Sequence, residues 1–68
     1  MREATHDGIR FTFPGNMLRT IAAVVDAERR CCRFLQCDIS IAPDEGPVSL
    51  TLSGPSGTRE FLEALIDA

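Results

Sequence analysis

Residues 37–52 read Cys37-Asp38-Ile39-Ser40-Ile41-Ala42-Pro43-Asp44-Glu45-Gly46-Pro47-Val48-Ser49-Leu50-Thr51-Leu52. Apolar and polar residues alternate from Cys37 to Ile41 and again from Val48 to Leu52, the period of a strand with one buried face. Cys37, Ile39 and Ile41 share the inward side of one strand, and Val48, Leu50 and Leu52 that of the next. Residues 42–47 between them carry two prolines, a glycine and two carboxylates, which is a turn composition. The stretch predicts a β-hairpin.

On the upstream side, Asn16 is a good helix N-cap because its side-chain oxygen can accept an orphan backbone N–H. Leu18, Ile21 and Val25 then follow helical spacing, with Met17, Ala22 and Val24 flanking and Cys31 and Cys32 continuing the stripe. A helix is expected over about residues 16–32. Before it, Ile9-Arg10-Phe11-Thr12-Phe13 alternates as a strand and Pro14-Gly15 ends it. Downstream, residues 53–58 form a loop. Phe61, Leu62 and Leu65, with Ala64 and Ile66 beside them, mark a short amphipathic helix to the end, with Gly57 and Glu60 at its start.

The order β-α-β-β-α predicts an α+β domain. A right-handed crossover sets the first two strands parallel with the third between them. The result is a three-stranded antiparallel sheet of order 1-3-2 with two helices on one face, a truncated ferredoxin-like fold lacking its last strand. Residues 1–8 are expected to be a flexible N-terminus and 9–68 a single βαββα domain. The missing strand would leave residues 9–13 as an open edge, which invites a homodimer there or through the helices. Arg10, Thr12, Asp38, Ser40, Ser49 and Thr51 would form a solvated opposite face.

With 68 residues the chain is one small domain, and metal binding or oligomerisation would help to stabilise it. A net charge of −3 argues against nucleic acid as partner, since phosphate binding needs a surplus of basic residues on one face. No apolar run approaches the roughly 20 residues of a membrane span, and the polar first eight residues carry no signal-peptide core. A cytoplasmic location is expected. Three cysteines, an odd number, exclude a complete internal disulfide framework, and a reducing compartment keeps them as thiols.

All three cysteines fall within Cys31-Cys32-Arg33-Phe34-Leu35-Gln36-Cys37. Glu28, Cys31 and Cys32 stand at i, i+3 and i+4 and are neighbours on a helix. Extrapolating the apolar stripe puts Glu28 on the inward side, unusual for a carboxylate. Cys37 begins the inward face of the next strand, so three thiols and one carboxylate can converge at one end of the core. Adjacent residues on an ideal helix point about 100° apart, so Cys31 and Cys32 can meet at one ion only where the helix ends. The helix dipole disfavours a thiolate there, whereas Arg29, Arg30 and Arg33 would favour one. Thiolates suit soft ions such as Hg(II), Cu(I) and As(III). Zn(II) wants four ligands, here three sulfurs plus Glu28 or a ligand from a second subunit. Against this stands plain core packing, because free cysteine behaves as a small buried hydrophobe. Thiol redox chemistry is a third option, with Cys37 as the disulfide partner since adjacent cysteines bridge only with strain.

The segment Glu28-x-x-Cys31-Cys32-x-Phe34-Leu35, then Gly54-Pro55-x-Gly57, then Phe61-Leu62, resembles a family of short bacterial proteins and appended domains with vicinal cysteines. The resemblance runs from about Ile9 to the end. Some such domains are joined to regulators resembling the mercury-resistance type, which implies a thiophilic-metal role in sensing, buffering or detoxification. Two positions depart: Arg33 stands where that family often has Pro, and Cys37 where it usually has an aromatic residue. The resemblance places a site on Glu28, Cys31 and Cys32, with Cys37 a private third ligand or a core substitute.

No catalytic residue and no organic cofactor is assigned. His6 is the sole histidine, in the expected flexible terminus, and no Ser/His/Asp set or Cys/His pair lies in ordered sequence. Gly54-Pro55-Ser56-Gly57 lacks the lysine of a phosphate loop and reads as a capped turn. Two thiols and a carboxylic acid are the groups that cleave a carbon–mercury bond, and Glu28 in an apolar setting would be the acid; so small a chain offers little substrate pocket. The expectation is a soft-metal-binding domain using Cys31 and Cys32, assisted by Glu28 and Cys37. The alternative is a protein-interaction module with structural cysteines.

Overall fold

The structure, a computed structural model, describes residues 2–66. Its strands are β1 (Arg2–Ala4), β2 (Gly8–Phe13), β3 (Gln36–Ile41) and β4 (Val48–Ser53), and its helices α1 (Leu18–Cys31) and α2 (Thr58–Ile66). The side chain of Ile66 and residues 67–68, read as the end of the second helix, lie outside the described residues.

The hairpin that decides the fold is present. β3 and β4 pair antiparallel with Cys37 opposite Leu52, Ile39 opposite Leu50 and Ile41 opposite Val48. On its other side β4 takes β2, with Ile9 opposite Leu52, Phe11 opposite Leu50 and Phe13 opposite Val48. Opposed residues in a ladder project from the same face. Three apolar rows therefore cross the sheet: Ile9-Leu52-Cys37, Phe11-Leu50-Ile39 and Phe13-Val48-Ile41. The opposite face carries Arg10, Asp38 and Ser40, all exposed.

The sheet has four strands in the order β1-β2-β4-β3, all antiparallel neighbours, rather than three. The expected order survives as β2-β4-β3, and the added strand corrects two expectations. Arg2–Ala4, read as part of a flexible terminus, pair with Phe11, Arg10 and Ile9. The edge of β2 expected to be open is thus covered along residues 9–11. β1 fills the slot left by the missing last strand. It is held by main-chain pairing, by a turn in which the Thr5 N–H bonds the Gly8 carbonyl at 2.9 Å, and by an Arg10–Glu3 ion pair at 3.0 Å on the solvated face. Gly8 is obligatory at this corner. A Cβ there would overlap the Leu52 carbonyl oxygen and lie 2.8 Å from the Ser53 Cα.

α1 lays Ile21 on Val48 and Leu50, with Phe13, Leu18, Val25, Cys37 and Leu52 packed around them. α2 packs against β2 and buries Leu62, beside a strand whose Ile9 is 1% exposed. α1 starts two residues later than expected. A 3₁₀ turn over Gly15–Met17 precedes it, and no side chain caps the helix, so Asn16 is not its N-cap.

Candidate functional site

α1 ends inside the cysteine pair. Cys31 is its last helical residue, and Cys32 has left helical geometry with φ −112° and ψ 79°. The Cys32 N–H still bonds the Glu28 carbonyl at 2.7 Å, and the Leu35 N–H bonds the Cys32 carbonyl at 3.1 Å. A tight turn over residues 32–35 thus joins the helix to β3. The break takes Cys32 off the 100° fan of an ideal helix and leaves it close enough to Cys31 for the two thiols to act on each other electrostatically. All three cysteines are free thiols; Cys31 is exposed, Cys32 and Cys37 half-buried.

Glu28 is exposed, not buried on the apolar side. It lies in the last turn of α1, past the part of the helix that Val48 and Leu50 cover. Its carboxylate still acts on both neighbouring thiols. Burial pushes the Cys32 thiol up from its ordinary value, as do the Cys31 charge, the hydrogen bond with Cys31 and the Glu28 charge. Burial also pushes Cys37 up, reinforced by Asp38 and Glu28. Arg29 and Arg30 do not offset this. Arg29 Nε donates to Asp26 Oδ1 at 2.9 Å, and Arg30 Nη2 donates to Asp26 Oδ2 at 3.1 Å. One carboxylate a turn back along the helix claims both guanidinium groups, which corrects for these two of the three arginines the expectation that they stabilise a thiolate. The apolar setting that carbon–mercury cleavage would require of Glu28 is missing as well.

Cys37 belongs to the sheet. It packs against the core cluster in the row with Leu52. Cys31, Cys32 and Glu28 therefore form one group at the end of α1, with Cys37 within electrostatic reach of Glu28. Among the described residues, no group of three or more His, Cys, Asp or Glu side chains is placed to hold a metal ion. The local chemistry is that of a thiol pair.

Sequence reading missed what holds the turn in place. Phe34, at its centre, packs edge-on against Phe61 of α2, ring centroids 5.5 Å apart and planes at 71°. The loop before α2 closes on the same spot. The Thr58 hydroxyl donates to the Pro55 carbonyl at 2.6 Å, and its N–H bonds the same oxygen at 3.0 Å. A Cβ at Gly54 would stand 2.7 Å from the Thr58 hydroxyl and 3.1 Å from the Phe34 carbonyl. Gly57 has φ +95°, which only glycine adopts without strain, and its carbonyl accepts the Phe61 N–H. The Gly-Pro-x-Gly and Phe-Leu segments thus clamp the thiol-bearing turn. The available signal was the pairing of aromatic residues at 34 and 61 in a chain with only four.

Comparison of the chain with protein-family models, curated proteins and solved structures finds no significant match. Among the described residues, no helix is long and apolar enough to cross a membrane.

Proposed function

We propose that this chain is a cytoplasmic homodimer that binds a soft, thiophilic ion through Cys31 and Cys32, for sensing, buffering or detoxification. The observation that carries the reading is the thiol pair at the broken end of α1: adjacent in sequence, free, close enough to act on each other electrostatically, and open to solvent at Cys31. Two sulfurs suit Hg(II), Cu(I) or As(III). They fall short of the four ligands of structural Zn(II). Glu28 supplies negative charge beside the pair, and Cys37 is a third sulfur in reserve on the neighbouring strand. The resemblance to vicinal-cysteine domains joined to mercury-resistance-type regulators supports the same reading. Redox work led by Cys32 or Cys37 is disfavoured, because a thiol pushed upward is a poor nucleophile near neutral pH.

The test is a chelator-competed titration of the reduced protein with Hg(II), Cu(I), As(III) and Zn(II), followed by the ultraviolet sulfur-to-metal bands. One-to-one binding is expected, abolished by Cys31→Ser or Cys32→Ser and only weakened by Cys37→Ser. Binding no tighter than that of free thiols, with all three variants folded, would sink the proposal and favour an interaction module with structural cysteines.

A further inference from the structure

Between the start of α1 and the β3–β4 loop lies a cleft of about 530 Å³. Leu18, Ile41, Ala42 and Val48 give it an apolar lining, and Asn16 and Glu45 are its polar side chains. Small-molecule sites occupy roughly 300–1,000 Å³ and pair an apolar lining with a few polar groups in this way. The cleft is far from the thiols. α1 begins at Leu18 and ends at Cys31, a rise of about 20 Å.

The loop that carries Glu45 is fixed in place. The Gly46 N–H bonds the Pro43 carbonyl and the Ala42 N–H bonds the Pro47 carbonyl, both at 3.1 Å. The loop lies so close on the turn before α1 that a Cβ at Gly15 would stand 2.5 Å from the Gly46 carbonyl oxygen and 2.7 Å from that of Glu45. Asp44 and Glu45 have φ of 59° and 57°, the arrangement of a type I′ turn, which Asn-Gly fills without strain. Holding two other side-chain-bearing residues there costs stability, and strain of this kind collects at ligand clamps.

Glu45 is the one charged side chain lining the cleft, since Arg19 beside Leu18 does not reach it. Among the described residues Glu45 has neither an ion pair nor a hydrogen bond. Asn16 is equally uncommitted, because it caps neither the 3₁₀ turn nor α1. The start of α1 contributes about half a positive charge, against the full negative charges of Glu45 and its neighbour Asp44. An unpaired carboxylate beside an apolar lining complements a cation that carries its own apolar body.

We infer that this cleft binds a small organic cation, a primary amine with a hydrocarbon body. The ammonium group donates to the Glu45 carboxylate and to the Asn16 side-chain oxygen, and the hydrocarbon body lies on Leu18, Ile41 and Val48. The site uses no thiol and no metal ion, so it stands apart from the proposed function.

The test is a titration of the reduced, nitrogen-15-labelled protein, followed through its amide resonances at pH 7 and fixed ionic strength. The probes are 2-phenylethylammonium and its neutral isostere 2-phenylethanol, each of about nine non-hydrogen atoms, for which a Kd on the order of 1–10 mM is expected. The amides of Gly15, Leu18, Ala42 and Gly46 should shift and those of Cys31 and Cys32 should not. The amine should bind about 2- to 5-fold more tightly than the alcohol, the scale of an ion pair open to solvent, and Glu45→Gln should erase that preference. Glu45→Gly should erase it too while raising the melting temperature, because glycine takes a positive φ without strain; lost binding is then not lost folding. Equal affinity for amine and alcohol, shifts elsewhere than at the cleft, or a preference that survives Glu45→Gln would overturn the inference. None of these outcomes touches the thiol titration, so the two proposals fail separately.

Discussion

Truncating Phe34 and Phe61 tests whether the aromatic clamp holds the thiol turn. Full removal of a buried Phe side chain costs about 3–5 kcal/mol. These rings are 46% and 42% exposed, so each Phe→Ala change should cost about half, near 2 kcal/mol. The edge-on pair at 5.5 Å adds about 0.5–1.5 kcal/mol beyond buried area. That contact is lost in either single variant, so the double variant should cost about 3 kcal/mol rather than 4. A domain of 68 residues has about 3–10 kcal/mol in total, so the singles should stay folded and the double be marginal. Urea denaturation of the four proteins gives the coupling. Disulfide-reagent kinetics at pH 8 give its functional side. Loss of 1–2 kcal/mol from the clamp makes opening of residues 32–35 roughly 5- to 30-fold more frequent. Cys32 should react faster by that factor, and exposed Cys31 should not change. Additivity within about 0.3 kcal/mol, or an unchanged Cys32 rate, would refute the clamp.

Gly57→Ala forces an L side chain to φ +95° and should cost about 1–2 kcal/mol, lowering Tm by roughly 4–8 °C per kcal/mol in a calorimetric scan. Gly8→Ala should be worse, since its Cβ would meet main chain on β4; loss of the cooperative transition is expected. Alkaline pH gives a clean thiol readout. The seven basic residues are all arginine and the chain has no tyrosine, so the side chains that titrate between about pH 8 and 11 are the cysteines. Cys32 and Cys37 are pushed up in the fold, so the folded state holds protons that the unfolded chain releases. Stability should be full below the ordinary thiol range and fall as pH rises through and above it. Urea midpoints at pH 7.5 and 10 should show the fall, and Cys37→Ser should reduce it. Ion binding displaces the same protons, so the affinity of the cysteine pair for Hg(II) should rise with pH across this range, read by competition at fixed chelator.

What was legible in the sequence is what each residue expresses locally. Ile9, Phe11 and Phe13, Cys37, Ile39 and Ile41, and Val48, Leu50 and Leu52 each announce their face by a period of two, and the three strands fall into apolar rows as that pattern requires. β1 was not legible, because Arg2-Glu3-Ala4 has no apolar alternation and its pairing is chiefly main-chain. Asn16 has the chemistry of a cap, but a preceding 3₁₀ turn moved the helix start beyond it. Glu28 shows the difference between direction and burial. Its angular place on α1 follows the stripe through Ile21 and Val25, yet burial needs something packed above it, and the covered part of the helix ends earlier. Val24 is exposed for a related reason, since it stands outside that packed cluster.

The electrostatics of the thiol pair depended on a choice the sequence leaves open: whether Arg29 and Arg30 reach forward to the cysteines or back to Asp26. They reach back. Cys32 is left with burial, a neighbouring thiol and Glu28, all of which oppose a free thiolate. In the site proposed above, an ion held by both sulfurs takes the place of their two protons, and two thiolates with Hg(II) sum to zero charge, so Glu28 opposes a bare thiolate without opposing the complex. Thiol reactivity and ion binding are then separable. For this reason Glu28→Gln is the informative single change. It should make Cys32 and Cys37 more reactive toward alkylation in the metal-free protein without weakening Hg(II) binding. Unchanged alkylation rates would refute the part given to Glu28 here, and a loss of Hg(II) affinity would show that its carboxylate is a ligand.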